Sequence, residues 1–541
     1  MRSMATCDWV FEHARGTPDA PAVDSPDDRL SYGVLAGRVL GAAATLRRLG
    51  VRAGDRVVVA LPNVPAAVVV SLAVQHLDAV SVEVSREWTA DQLAAVLREV
   101  EPSAVALAGQ DALKFGAVLR AAQISRLVLV RGEPSLKAPE GSGDVETVAM
   151  TPGGVLDDAT TGELPAGPPA REEGAVTLLL YTSGSTGQPR AVMQTMTNIA
   201  ANTRAIVEVL GLGAKDRAML ILPLPYCYGR SVLQTHLYVG GSVLLYPGFV
   251  YPRLVLEAIA AERCTGFAGV PLTYELLARH TAPRPGDMPA LRYVTQAGGA
   301  MRPATVDWTR AAFRPAQLFV MYGQTEATAR LAYLPPQRGH EKQGSIGIPI
   351  PGVELRVVDD AGADVACRVT GHLVARGANV TPGYHGAPEE TASILRDGWL
   401  WTGDMAYRDE DGFLFLAGRA KEILKIGGHR GSPAQIEAAL EQHPDVMEVV
   451  AAGIADPLRG EAAAALAVLR PGARATEQEL RRFCSQHLPP YLVPRVVRII
   501  GSMPRGPSGK IQRDRVSRLL ARVAAGSARQ VARADSDERK A

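Results

Sequence analysis

The chain has 541 residues, 47% apolar and 21% charged, with a formal net charge of only +2 from 58 basic and 56 acidic residues. That length exceeds what one hydrophobic core organises, so at least two domains are expected. The even charge balance, with no basic stripe, argues against a nucleic-acid binder. Met1 to Val10 lacks the apolar run of a signal peptide. The most apolar stretch, Val57 to Val84, is interrupted by Pro62, Asn63, Pro65, Gln75, His76 and Asp78. It therefore falls short of the roughly 20 continuous apolar residues of a membrane span. Cys7, Cys227, Cys264, Cys367 and Cys484 are odd in number and not at metal-ligand spacing. They predict buried thiols in a reducing compartment, not a disulfide framework or a zinc site. The expected location is the cytoplasm.

In chain order, Arg56–Leu61 reads as a buried strand, Pro65–His76 as a helix and Ala79–Val84 as a second strand. Leu127–Val130 and Val176–Tyr181 are further short apolar runs. This alternation predicts an α/β architecture with largely parallel sheets. Residues 138–174, rich in Pro, Gly and acidic residues, are expected to be a surface connection. Composition changes again near Gly418. Beyond it come strands at Ile423–Ile426, Val446–Ile454 and Ala463–Leu469, and helices at Pro433–Glu441 and Glu477–Gln486. That set predicts a small α+β domain of about 100 residues, and the charged tail after Arg522 is expected to fray.

The strand Val176–Tyr181 runs into Thr182-Ser183-Gly184-Ser185-Thr186-Gly187-Gln188-Pro189-Arg190. Glycines let backbone N–H groups approach anionic oxygens, the hydroxyls add donors, and Arg190 adds a planar cation suited to phosphate. The Gly-Lys-Ser/Thr ending of the Walker loop is absent. The plain alternative is a solvated Gly/Ser/Thr loop. Further along stand Gln296-Ala297-Gly298-Gly299-Ala300, Tyr322-Gly323-Gln324-Thr325-Glu326 and Trp401-Thr402-Gly403-Asp404. They are followed by Gly418-Arg419-Ala420-Lys421-Glu422-Ile423-Leu424-Lys425 and, near the end, Pro504-Arg505-Gly506-Pro507-Ser508-Gly509-Lys510.

In this order, across roughly residues 8–520, these motifs resemble those of the adenylate-forming superfamily: acyl-CoA synthetases, peptide-synthetase adenylation domains and luciferases. The resemblance implies a large N-terminal domain, residues 1–417, of αβαβα layers with parallel sheets and a β-barrel-like subdomain. It implies a hinge at 418–421, a small mobile α+β domain at 422–521 and a polar tail at 522–541. The implied reaction is ATP-dependent adenylation of a small carboxylic acid, giving acyl-AMP and pyrophosphate. Transfer to the thiol of CoA or of a carrier-protein phosphopantetheine would follow.

The residue roles come with the resemblance. Thr182, Ser183, Gly184, Ser185, Thr186, Gly187 and Arg190 hold the β- and γ-phosphates. Tyr322, Gly323, Gly298, Gly299 and Ala300 lie against adenine, Thr325 meets the phosphate region and Glu326 helps to hold Mg²⁺. Asp404 clamps the ribose and Arg419 contacts ribose or phosphate. Lys421 is the hinge residue. Lys510 is the catalytic lysine, offsetting repulsion between the attacking carboxylate and the α-phosphate. Lys425, Gly427 and Gly428 shape the thiol tunnel. Tyr226, Tyr228, Phe267, Gly269, Ala297, Gly298, Gly323 and Ala329 line the acyl pocket, with Arg330 close behind.

Some positions depart from the family pattern. Arg190 replaces the usual Lys, Ala191 the usual Gly, and Tyr226 a gating His; Gly431 stands at an apolar strand position. Tyr226 and Tyr228 either narrow the pocket mouth, favouring a short or planar (aromatic) acid, or simply pack in the core. Arg330 either meets a second anionic group or points to solvent. Three functions follow: an acid–thiol ligase, of the kind found in secondary metabolism; an adenylating enzyme with a non-thiol acceptor, including nitrite activation for diazotisation of an aryl amine; and a non-catalytic nucleotide-binding scaffold.

Overall fold

Val57 and Val59 face one apolar core while Val58 and Ala60 face another. A strand buried on both faces belongs inside a layered α/β sheet, and the computed structural model has that arrangement. It describes residues 4–130, 146–155, 164–167, 171–172, 174–183, 189–246, 248–419, 424–426, 429–431, 433–456, 460–488, 490–505 and 511–523. The chain divides into two compact units, residues 1–355 with 374–400, and 356–373 with 401–541. The expected boundary at 418 falls inside the second unit.

The first unit holds two sheets. One has seven strands in the order Glu146–Met150, Arg126–Val130, Ala104–Ala108, Arg56–Ala60, Val80–Glu83, Val176–Ser183, Pro189–Thr195. Its neighbours are parallel except for the last pair, an antiparallel hairpin with Thr182 opposite Arg190. The other sheet has nine strands in the order Ile348–Pro349, Ala332–Leu334, Gln317–Tyr322, Tyr293–Gln296, Gly266–Gly269, Arg217–Leu220, Ser242–Leu245, Pro21–Asp24, Arg29–Ser31. Helices fill the space between. Pro65–His76 is buried at every position through Gln75, as expected of a helix that is apolar on all sides. Cys227–Val239 joins the same core.

Within the surface connection expected over 138–174, the structure has a strand at Glu146–Met150 that was not predicted. It adds to the exposed edge beside Arg126–Val130, and its side chains are mostly half-buried. An edge strand needs no strong apolar signature. The thiols also need one correction: Cys367 is exposed, while the other four are buried, and none of the five is in a disulfide among the described residues.

A five-stranded sheet of Val353–Val358, Gly371–Gly377, Trp399–Arg408, Leu395–Arg396 and Leu414–Arg419 carries the chain into the second unit. That unit ends in another sheet, ordered His429–Gly431, Leu424–Ile426, Gly460–Leu469, Val446–Asp456, with Val496–Ile499 alongside Gly460–Leu469. Helices Pro433–Leu440 and Glu477–His487 cover it over Ile436, Leu440, Leu480 and Cys484. The three strands and two helices that the sequence predicts here follow their expected bounds to within three residues, whereas the strands His429–Gly431 and Val496–Ile499 had no predicted bounds. Among the described residues, no helix is long and apolar enough to cross a membrane.

Candidate active site

Three neighbouring parallel strands of the nine-stranded sheet end at Gly269, Gln296 and Tyr322. Ligands of open α/β sheets bind beyond such carboxyl ends. Here the ends lead into Ala297-Gly298-Gly299-Ala300 and Gly323-Gln324-Thr325-Glu326, so the fold brings together motifs that are distant in sequence.

Gly298 has φ +87°, and a Cβ placed on it would lie 2.4 Å from the Tyr226 hydroxyl oxygen. Both the backbone conformation and the tyrosine therefore demand glycine. Tyr226 is half-buried at this point, and burial pushes its pKa up. Tyr228 settles differently. It is 1% exposed, and its hydroxyl lies 2.8 Å from the Thr295 carbonyl and 2.7 Å from Thr295 Oγ1. Tyr226 thus stands at the glycine turn, whereas Tyr228 packs in the core. Phe267 and Ala297 are buried as well, and Gly269 abuts Tyr274 and Thr273.

The segment after Tyr322 is a turn held at almost every carbonyl. Gln194 Nε2 donates to the carbonyls of Thr325, at 3.3 Å, and Thr328, at 3.2 Å. The Thr381 N–H bonds the Glu326 carbonyl at 2.9 Å. Asn379 Nδ2 reaches the carbonyls of Ala327 and Arg330, both at 3.1 Å, and Asn202 Nδ2 also bonds the Arg330 carbonyl, at 2.8 Å. Thr328 sits at φ +67°, ψ −59°, with the Ala329 N–H bonded to the Ala327 carbonyl at 2.8 Å. This is a γ-turn of the rare positive-φ kind, strained by about 1–3 kcal/mol. The Thr328 hydroxyl anchors it on the Asn379 carbonyl at 2.7 Å. Gly323 is equally constrained, because a Cβ there would fall 2.0 Å from the Ala329 carbonyl oxygen.

Thr325 and Glu326 are thereby presented half-exposed from a fixed backbone. The Tyr384 hydroxyl donates to Glu326 Oε1 at 2.8 Å. On the other side of the turn Arg330 is buried, 3% exposed. It does not point to solvent. Gln194, Asn202, Asn379, Thr328 and Tyr384 were not among the predicted site residues. The one local signal was Thr195 capping the helix Met196–Leu210 with Asn198, which marks the element that carries Asn202.

The glycine-rich loop is the tip of the hairpin Val176–Ser183/Pro189–Thr195. Gly184, Ser185, Thr186 and Gly187 lie outside the described residues, and Ser183 is described in its backbone alone. At the base of the tip, Arg190 Nη2 lies 2.8 Å from Glu390 Oε1. In the protein alone, the expected phosphate cation is therefore tied to a carboxylate.

In the second unit, Asp404 and Arg419 are cross-strand partners on Trp399–Arg408 and Leu414–Arg419. Asp404 is buried, and its N–H bonds the Thr402 hydroxyl at 3.1 Å. The side chains of Arg419 and Lys425 are not described. Lys421, Gly427, Gly428 and Lys510 lie outside the described residues.

Comparison with known proteins agrees with this geometry. Residues 10–385 match the AMP-binding enzyme family, and residues 435–510 match the AMP-binding enzyme C-terminal domain. A feruloyl-CoA synthase of an Amycolatopsis species is 34% identical over 525 residues, 96% of this chain and 99% of that protein. A long-chain-fatty-acid–CoA ligase of Bacillus subtilis strain 168 is 30% identical over 532 residues, 94% of this chain and 93% of the relative. The solved amide bond synthetase of Marinactinospora thermotolerans superposes with a TM-score of 0.82 at 27% identity, covering 96% of this chain and 99% of that one. The chain belongs to the AMP-binding enzymes of the adenylate-forming superfamily, and it is an AMP-forming acid–thiol ligase that activates a carboxylic acid with ATP.

Proposed function

We propose that the acid is small, that its carboxylate enters beside Tyr226 and Gly298, and that the acyl group passes to CoA. The observation that carries this reading is the tied turn from Gly323 to Arg330. It holds the Thr325 and Glu326 side of the site rigid before any ligand arrives, and preorganised polar groups are what transition-state stabilisation requires. Tyr228 is buried with its ring 6.2 Å from that of Tyr226, and in this reading it bounds the acyl pocket and favours a short acid over a long chain.

In this reading the hairpin tip with Arg190 takes the β- and γ-phosphates, and Glu390 releases Arg190 when they bind. Tyr322, Gly299 and Ala300 flank adenine, and Asp404 with Arg419 holds the ribose. Lys510 meets the reacting carboxylate and α-phosphate, Lys421 is the hinge between half-reactions, and Lys425, Gly427 and Gly428 line the way for the thiol. Among the described residues no group of three or more His, Cys, Asp or Glu is placed to hold a metal. A lone Glu326 suits Mg²⁺, which keeps waters and binds through one or two carboxylates plus substrate phosphates. When bound there, the ion would neutralise phosphate charge. Five cysteines without a disulfide among the described residues fit a reducing cytoplasm.

The test is incubation with ATP, Mg²⁺, CoA and an acid panel, following pyrophosphate and thioester. Acid-dependent release of both is expected. Lys510→Ala should nearly abolish adenylation while ATP binding remains measurable. Failure of every acid to release pyrophosphate would refute the reading. A second reading adds an amine as a further acceptor beside the thiol, on the likeness to the amide bond synthetase. Amide formation without thioester, once an amine replaces CoA, would select it; a carrier protein that outcompetes CoA would instead move the thiol to phosphopantetheine.

A further inference from the structure

Deeply buried arginines in this protein are matched by carboxylates, with one exception among the described residues. The Arg171 side chain, 3% exposed, bonds Asp8 and Asp78. Arg230, also 3% exposed, places Nη2 at 2.5 Å from Glu83 Oε1. Arg330 is as buried as these, yet no carboxylate among the described residues meets it. Its Nε donates to Met321 Sδ at 3.4 Å and its Nη1 to Ser231 Oγ at 3.4 Å. Its guanidinium carbon lies 3.9 Å from the centre of the Tyr228 ring. A thioether, a long hydroxyl contact and a ring face compensate a full buried charge poorly, and such a charge costs several kcal/mol when left without a counter-charge.

The nearby titratable groups do not provide one. The Tyr228 hydroxyl is engaged with Thr295, and burial raises its pKa, so it stays a neutral phenol. Tyr226 and Tyr293 are pushed up in the same way. His236 Nδ1 donates to the Val232 carbonyl at 2.8 Å while Nε2 accepts from the Tyr293 hydroxyl at 3.0 Å, a neutral imidazole. Asp216 is spent on Arg292 and Thr265.

Arg330 faces a small cavity that it lines together with Ser231, Thr235, His236, Thr295 and Phe267. The cavity has room for about one water. It is polar on the Arg330 side, and it shares Phe267 and Arg330 with the residues that the resemblance assigns to the acyl pocket.

We propose that Arg330 is the receptor for a second anionic group on the acid, so that the substrate is a short carboxylic acid ending in a carboxylate or sulfonate. The proposal rests on the acid-activating reading above and narrows its substrate class. Pairing the buried charge stabilises the bound dianion, whereas a monoacid leaves the arginine uncompensated. A site with a polar group left unpaired discriminates steeply against the analogue that lacks the partner. The cavity is too small for a ring or a chain, and a terminal carboxylate or sulfonate enters it only as the side chains around Arg330 move apart.

The experiment compares matched acids in chloride-free buffer with ATP and Mg²⁺, measuring kcat/KM for pyrophosphate release: propionate against malonate and sulfoacetate, butyrate against succinate, benzoate against benzene-1,3-dicarboxylate. A preference of at least about 100-fold for a dianionic member is expected in the wild-type protein. In Arg330→Gln the same ratio should collapse toward unity, and in Ser231→Ala it should narrow. A second measurement needs no variant: the preferred dianion should raise the melting temperature of the wild-type protein, and its monoacid partner should not. Turnover confined to monoacids, equal use of both classes, or a ratio unchanged in Arg330→Gln overturns the assignment while leaving acid activation intact. Absence of turnover with every acid overturns acid activation, and this assignment with it.

Discussion

Arg230 and Ser231 are adjacent on the helix Cys227–Val239, yet they belong to two differently built corners of the protein. Arg230 is paired in charge with Glu83, at the end of the strand Val80–Glu83, although its Nε meets no hydrogen-bond partner among the described residues. Ser71 accepts from Arg230 Nη1 at 3.1 Å, and Ser81 donates to Glu83 at 2.9 Å. Ser231 takes part in the other corner, where Arg330 has hydroxyls and an aromatic face around it but no acid among the described residues. Both cations are 3% exposed. The difference is therefore not burial but who provides the counter-charge. In the first corner the chain completes the pair and gains a fixed seam in the core between the sheets. In the second it leaves a requirement that a ligand can satisfy.

The largest effect is expected from breaking the completed corner. Arg230→Met leaves Glu83 buried without its cation and should cost about 3–5 kcal/mol, read as a fall in the denaturant midpoint. Arg230→Met combined with Glu83→Met removes both charges and should recover much of that loss. A double variant as unstable as the single one would show that the two side chains pack independently, and the contrast with Arg330 would lose its meaning.

The backbone that places Arg330 comes next. In Gly323→Ala the new Cβ would meet the Ala329 carbonyl oxygen at 2.0 Å and Arg330 Cα at 2.7 Å. Both contacts are backbone, so the turn itself must shift. Overpacking of this kind costs about 1–3 kcal/mol, and adenylation should fall more than stability does. Full activity in a stable Gly323→Ala protein would mean that the turn tolerates movement.

The same corners show what could be read from the sequence. The helix Pro65–His76 takes its predicted bounds, and the strand at Arg56–Ala60 was evident as an apolar run between turn signals. Strong apolar periodicity survives any tertiary context, because it is the requirement for burial on both faces. The motifs around Gly298, Tyr322 and Asp404 were legible because their order along the chain matches a family. The amides that hold the turn were not. Gln194, Asn202 and Asn379 lie on separate segments, and a lone Gln or Asn carries no sequence signal of the carbonyl it will meet. Edge strands such as Glu146–Met150 escaped for a related reason: they are half-buried and follow no strong pattern. The state of Arg330 was out of reach because it depends on which acids are absent from its surroundings after folding. Arg190 had been read as a cation for phosphate, and its bond to Glu390 became visible only when the hairpin and the helix Pro388–Ile394 came together.

A smaller effect is expected at Thr328. Thr328→Ala removes the hydroxyl that bonds the Asn379 carbonyl, worth about 0.5–1.5 kcal/mol, and keeps the strained positive φ. Thr328→Gly loses the same bond but relieves the backbone. The glycine variant should therefore be the more stable of the two, while both lower kcat/KM because the turn loses its anchor. Equal stability would mean that the γ-turn relaxes in the variants. Higher stability of the alanine variant would remove strain as the reason for the anchoring network.

The smallest effect separates the two corners by pH. His236 lies in the Arg330 cavity and is 1% exposed. Burial holds its pKa below the ordinary 6.5, and Arg292 pushes the same way, against the weaker pull of the Val232 carbonyl and Asp216. Because the folded-state pKa is depressed, the unfolded chain binds the proton more readily. The contribution is therefore fully present above pH 6.5 and is lost as pH falls below that value toward the folded pKa. His76 is shifted in the same direction, so the wild-type slope alone does not isolate His236. The comparison to make is stability from pH 8 to pH 5 in the wild type and in His236→Gln, by denaturant unfolding. The variant should be less stable at pH 8, through loss of the Tyr293 and Val232 hydrogen bonds, and should show a shallower decline on acidification. Parallel curves would mean that the pKa of His236 is the same in the folded and unfolded chain, and that burial does not hold it down.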